Sequence, residues 1–236
     1  MRTSRRTRGC WTGHRDPDRL ASSVDGRTAW VAAGAIAAVG TLSLLDRDIT
    51  RVVGRGYSGP FKQYLDVTNH LGERIVLVPL TGVLGISLLT DDRRFQDAAF
   101  TSFQSMGMAS VLILGIKVVV GRHRPDETDS PFVFSPFSGD TSFPSGHATA
   151  ATAILVPWAL YYNHPIVWGL VAAGAGGTAL ARIATHRHWA SDVLAGGLIG
   201  TAMAVSLTRF HQRDAPPGRY FRVQANGGGI SLNVHF

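Results

Sequence analysis

One cysteine, Cys10, occurs among the 236 residues, so neither a disulfide framework nor a thiolate metal site can be built. It sits in Arg-Gly-Cys with no apolar run before it, which argues against a lipid-anchoring signal. Acids are the next scarcity, with 16 Asp and Glu against 23 Lys and Arg. No clustering of carboxylates suggests the hard oxygen cage that a divalent cation would need. There is no continuous basic helix and no alternation of aromatic with basic residues, so nucleic acid is not an expected partner. The excess positive charge is left to face an anionic membrane surface or an anionic substrate.

What is abundant is apolar sequence in blocks with few charges inside them. Six blocks can be drawn, at residues 28–45, 75–90, 98–120, 147–161, 165–181 and 191–208. Several fall short of the about 20 residues that cross a bilayer core, but six in succession favour membrane spans over a soluble bundle. The expected fold is therefore all-α: a six-span transmembrane helical bundle over residues 28–208. A disordered basic tail over 1–27 precedes it, and a tail over 209–236 follows. In that last tail Ile230, Leu232, Val234 and Phe236 alternate with polar residues after a glycine-rich turn, the pattern of a short β-hairpin. Residues 57–74 carry Phe61, Tyr64, Leu65, Thr68 and Leu71 at helical spacing and read as an interfacial helix.

Charge sets the expected topology. With the amino terminus inside, inside segments hold thirteen Lys and Arg, against five in residues 46–74 outside. The bias follows the positive-inside rule. A multi-pass protein of the cell (inner) membrane is expected, with the loops after the third and fifth spans on the extracytoplasmic side.

Those loops hold three clusters. In the first, Lys117 and Arg124 are seven apart, or two helical turns, which places both heads on one helix face with Gly121 between them. Pro125 should end that helix at Arg124. A charged face at a helix end is equally able to snorkel into headgroups. In the second, Ser142 to His147 precede the fourth block. Pro144 suits a first helical turn, and the amides of Ser145, Gly146 and His147 would form an anion site at the helix start, or no more than a cap. In the third, His188 and Asp192 are four apart, so the carboxylate can reach the imidazole across one turn. That would fix the tautomer and free the other ring nitrogen to attack, or it would merely tether two spans. The first two clusters share a loop, and two spans separate the second from the third. All three therefore meet at one membrane face.

Taken together, these residues resemble the type-2 phosphatidic-acid phosphatase family, the lipid phosphate phosphatases. Its signature is Lys-x6-Arg-Pro, Pro-Ser-Gly-His and Ser-Arg-x5-His-x3-Asp. Here the matching positions are Lys117, Arg124 and Pro125; Pro144 to His147; and Arg182, His188 and Asp192. Ala181 stands where the family usually has serine. The resemblance implies a membrane phosphatase acting on a lipid phosphate monoester, without cofactor or metal. It implies that His188 attacks phosphorus, that Asp192 orients it, and that His147 protonates the leaving alcohol and then activates water. Lys117, Arg124, Arg182, Ser145 and Gly146 would hold the phosphoryl oxygens. His123 and His186 lie beside these positions but off the signature.

Three other readings remain open on sequence. The same chemistry could act on an isoprenoid diphosphate such as undecaprenyl diphosphate. A vanadium haloperoxidase-like protein would use a related pocket, although six spans in a short chain fit it poorly. A non-enzymatic lipid-phosphate-binding protein would not need a nucleophile with its orienter. Residues 126–143, with Phe132, Phe134 and Phe137, read either as a lid or lipid-contacting rim or as an ordinary outer loop. Gly196-x3-Gly200 is expected to serve close helix packing within the chain.

Overall fold

The computed structural model describes residues 26–139, 141–214, 220–226 and 229–235. The expected basic tail, Cys10, the hairpin turn and Phe236 lie outside them, apart from the start of the first helix. The chain divides into two compact units, Met1–Ala37 and Ala38–Phe236. The described part of the first unit is the beginning of α1, Gly26–Ser43. The second unit holds the rest: α2 (Asp46–Arg55), α3 (Gly59–Asn69), two 3-10 turns (His70–Gly72 and Arg74–Val76), α4 (Leu77–Ser87), α5 (Arg93–Val120), α6 (Gly146–Tyr162), α7 (Pro165–Ala184), α8 (Ala190–Asp214) and the strands β1 (Tyr220–Asn226) and β2 (Gly229–His235).

All six apolar blocks fold as helix, but length separates them. Among the described residues α5, α7 and α8 are long and apolar enough to cross a membrane, or four spans if α1 and α2, which meet at a bend, count as one. α4 has 11 residues and α6 has 17, below the about 20 that a straight span needs. Local signals explain the stops. α6 starts on Ser145, whose hydroxyl caps the Ala148 amide, and ends on Asn163 in the left-handed region. Pro165 then opens α7, where its missing amide costs nothing. α5 is bounded by the Asp92 side chain, which accepts from the Phe95 amide, and by left-handed Gly121. The stretch read as one interfacial helix over 57–74 is α3 followed by the two 3-10 turns.

Packing relies on small residues and on hydroxyls that bond to backbone, as suits helices that have lipid rather than water around them. A Cβ on Gly196 would lie 2.3 Å from the Ser145 carbonyl oxygen, and one on Gly200 2.3 Å from that of Thr149. The Gly196-x3-Gly200 pair therefore packs α8 directly on α6 within the chain. Ser102 donates to the Ile154 carbonyl at 2.7 Å, joining α5 to α6. Thr178 donates to the Thr68 carbonyl at 2.6 Å and Tyr64 to the Ala173 carbonyl at 2.5 Å, docking α3 on α7. Large apolar side chains on α5, such as Val111 and Leu114, point outward. The two strands pair antiparallel, from Tyr220 opposite His235 to Asn226 opposite Gly229.

Candidate active site

The first cluster is not one helix face. α5 stops at Val120, and Gly121 turns the chain with φ of +55°. Any Cβ there would sit 2.0 Å from the Ser135 carbonyl oxygen, so both the turn and the close approach require glycine. Arg122 to Arg124 are therefore non-helical, and the two-turn spacing is not what unites Lys117 with Arg124. Thr141 unites them instead. Lys117 Nζ donates to its carbonyl, and Arg124 Nη2 donates to its hydroxyl at 2.9 Å.

In the second cluster Pro144 lies before the helix, not in its first turn, and Ser145 is the N-cap. The Ser145 amide is already committed: it donates to the Asp192 carbonyl at 2.9 Å. That leaves the amides of Gly146 and His147, first-turn donors with no carbonyl four residues back in the helix. They carry the positive end of the α6 dipole.

In the third cluster His188 sits in the turn before α8, 3% exposed. Its Nδ1 lies 3.9 Å from Asp192 Oδ2, too far for a hydrogen bond. It donates at 2.7 Å to the Ser142 carbonyl instead. A carbonyl only accepts, so Nδ1 carries the proton and Nε2 keeps its lone pair. The tautomer expected of an attacking imidazole is present, but a backbone oxygen from the second cluster sets it. Asp192 Oδ2 is engaged by the Ser142 hydroxyl at 2.6 Å and by the Trp189 amide at 2.9 Å. Burial holds the His188 imidazole well below its ordinary range, at about 4, with Asp192 acting in the other direction. His188 is therefore neutral near pH 7.

The three clusters do converge. His147 is within electrostatic reach of Arg182, His188 and Lys117, and Lys117 of Asp192, Arg124 and Arg182. Arg182 Nη1 approaches Asn69 Oδ1 at 3.4 Å, and its buried Nε bonds to no described residue. His123 bonds through Nε2 to the Ser135 hydroxyl at 2.8 Å and braces the loop. His186 is exposed, with φ of +56°. Phe132 and Phe137 on the loop are exposed as well. Among the described residues no three His, Cys, Asp or Glu side chains gather as a metal site requires.

Spacing alone did not pick out several groups at this site. Gly72 lies so close to His147 that a Cβ would be 2.4 Å from the His147 Cβ. Asn69 Nδ2 donates at 2.8 Å to Glu73, which is within reach of His147. Arg122, 3% exposed, lies between Asp192 and Asp46, both fully buried. One signal was available for the last pair: an acid at the end of an apolar block is costly without a partner.

Residues 98–216 match the profile of the PAP2 superfamily. The chain belongs to this family. The match leaves out residues 28–97 of the expected 28–208 bundle. Lipid A 1-phosphatase of Porphyromonas gingivalis is 36% identical over 100 residues, which is 41% of this chain and 20% of that protein. The matched stretch is thus about a fifth of the relative. Two crystal structures share the fold at 20% identity. One is a transmembrane PAP2-type phosphatidylglycerolphosphate phosphatase from Bacillus subtilis, with a TM-score of 0.60 over 78% of this chain and 96% of that one. The other is Aquifex aeolicus LpxE, with a TM-score of 0.55 over 70% and 95%. The apolar helices and the family place this chain among integral membrane proteins.

Proposed function

We propose that this chain is a membrane phosphatase that hydrolyses a lipid phosphate monoester through a phosphohistidine on His188. One observation carries the reading. His188 presents an unprotonated Nε2, fixed by its Nδ1 bond to Ser142, among cations and helix-start amides suited to a phosphoryl group. Nε2 attacks phosphorus, and the P–O bond to the lipid alcohol breaks as the N–P bond forms. His147 gives its proton to the departing oxygen. Lys117, Arg124, Arg182 and the Gly146 amide stabilise the charge on the phosphoryl oxygens; Ser145 contributes through its cap on α6, since its own amide is bound to Asp192. The phosphorylated ring is cationic, and Asp192 offsets that charge from 3.9 Å. Water then attacks, His147 takes its proton, and the N–P bond breaks to release phosphate.

In this reading α1 to α8 supply six passes of the inner membrane, with the site on the extracytoplasmic side. The substrate carries a lipid tail, because the site lies at the ends of apolar helices. Phosphate release by the purified protein across lipid mono- and diphosphates tests the class, and preference for the monoesters is expected. His147→Ala supplied with p-nitrophenyl phosphate should accumulate acid-labile, base-stable phosphate on the His188 peptide. Phosphate located on His147 would reverse the two roles. Impermeant labelling of Ser130→Cys but not Asn163→Cys in intact cells supports the orientation, and the opposite result inverts it.

A further inference from the structure

Arg122 lies outside the signature positions, yet it is the most fully bonded cation at the site. Nη1 donates to Asp192 Oδ1 at 2.5 Å and to the Ser191 hydroxyl at 2.7 Å. Nη2 donates to Asp46 Oδ2 at 2.8 Å and to the Pro131 carbonyl at 2.7 Å, and Nε reaches the same carbonyl at 2.9 Å. Asp46 is anchored in turn by the Ser191 amide at 2.8 Å and by the Ser191 hydroxyl. Its backbone takes part too, since the Ser142 amide donates to the Arg122 carbonyl at 3.1 Å. Ser142 is the residue whose carbonyl fixes His188 and whose hydroxyl holds Asp192.

We propose that Arg122 is a positioning residue for His188, acting through Asp192 and Ser142, with Asp46 as its counter-anchor on α2. The inference rests on the assignment of His188 as nucleophile. The guanidinium fits the task because its planar fork bonds two carboxylates and a carbonyl at once, which an ammonium cannot do. It fixes one oxygen of Asp192 while Ser142 and Trp189 fix the other. The carboxylate is thus held still beside a ring whose charge changes during turnover. Asp46 balances the buried cation and ties this end of α8 to α2, a helix that contributes nothing to the signature.

The test uses full-length protein in detergent with p-nitrophenyl phosphate, and ¹⁵N-histidine NMR as a readout independent of turnover. Wild type should show His188 as the Nδ1–H tautomer. Arg122→Lys should lower kcat about a hundredfold, the scale of a misplaced reacting group, with KM within about threefold, and should lose that tautomer signature. Should Arg122→Lys misfold, Asp46→Asn/Arg122→Met removes the cation together with one of its two carboxylates, so the net buried charge of the trio is unchanged. This double variant should fold yet remain slow. Near-wild-type kcat and tautomer in either folded variant would overturn the proposal and reduce Arg122 to a structural tether. Wild type lacking the Nδ1–H form would also overturn it. If wild type turns over no phosphate ester at all, the function fails while the tautomer comparison still decides the positioning role.

Discussion

The two histidines of the site are held in opposite ways. His188 is buried, its Nδ1 is bound, and its neighbours are bonded on every side through Ser142, Asp192, Arg122 and Asp46. His147 stands half-buried in the first turn of α6, touched by Gly72 and within electrostatic reach of Glu73. The difference matches what each task demands. A nucleophile must be aligned with phosphorus before the reaction. A group that passes a proton first to an alcohol and then from water meets two partners in two positions, so rigid anchoring would hinder it.

The sharpest way to break this contrast is to remove each ring. His188→Ala should abolish turnover of every ester, by at least about ten-thousandfold, the scale seen when a nucleophile is deleted. His147→Ala should match that loss on an alkyl phosphate. On p-nitrophenyl phosphate, whose leaving group needs little protonation, it should recover a fast first step. Equal losses on both esters in a burst experiment would mean that the two sides do not divide the work.

Next in size is the contact on the looser side. Gly72→Ala adds a Cβ 2.4 Å from the His147 Cβ and 2.5 Å from its Cα, so one backbone or the other must shift. The φ of Gly72 is not among the positive ones, so the substitution tests the contact and not backbone strain. An alkyl phosphate should turn over about a hundredfold more slowly. Gly54→Ala is the control: its Cβ crowds the ring end of exposed His186, at 2.8 Å, and meets the Ala184 carbonyl oxygen only at an ordinary 3.8 Å, and activity should hold. A wild-type rate in Gly72→Ala would show that His147 relocates freely.

The tight side should also reveal itself through pH. His188 titrates at about 4 when folded, chiefly because burial disfavours its charge, against an ordinary value of 6.5. Below 6.5 the unfolded chain takes up a proton that the folded one refuses. Stability from this ring is thus fully present above 6.5 and is lost as pH falls toward 4, on the order of 3 kcal/mol in all. Thermal unfolding in detergent should show wild type losing stability across that window and His188→Gln losing less. Identical curves would mean that the ring is not buried in its neutral form.

How much of this was legible in the sequence depended on whether a relation is local. The residues of the three clusters were readable because they are short patterns beside apolar blocks, and the blocks did become helices. The geometry proposed for them was readable only in part. Counting helical turns from Lys117 to Arg124 failed because Gly121 ends the helix between them. Counting one turn from His188 brought Asp192 to 3.9 Å from the ring, but His188 precedes α8, and the Ser142 carbonyl, 46 positions away, took the hydrogen bond. The Ser145 amide was expected to face a ligand, but Asp192 occupies it. Asp46 and Arg122 are 76 positions apart, and no periodicity links them. Length was the other limit. Apolar composition marks a block without saying where caps such as Ser145 and Asn163 cut it, so among the described residues the six blocks gave three helices of full spanning length, or four spans with the bent pair.

The smallest expected effect comes from an arginine next to the nucleophile in sequence. Arg187 precedes His188 directly, yet its side chain is 52% exposed and pairs at 3.1 Å with Asp126, itself 35% exposed. A pair so open to solvent contributes at most about 1 kcal/mol to stability. The backbone amide of Arg187 donates to the Arg182 carbonyl at 3.1 Å, and any side chain preserves that bond. What remains for the guanidinium is its field, since it acts on Arg182 at a distance. A positive field at the mouth of a phosphate site speeds the encounter with an anion. Arg187→Gln should therefore lower kcat/KM only about two- to threefold, leaving kcat and melting temperature unchanged. The loss should fade as salt approaches about 1 M, where screening reaches only about 3 Å. A loss above about tenfold that survives high salt would instead require direct contact with the phosphoryl group. The tight side of the site would then extend to the surface, and the contrast with the His147 side would have to be redrawn around Arg187 rather than Arg122.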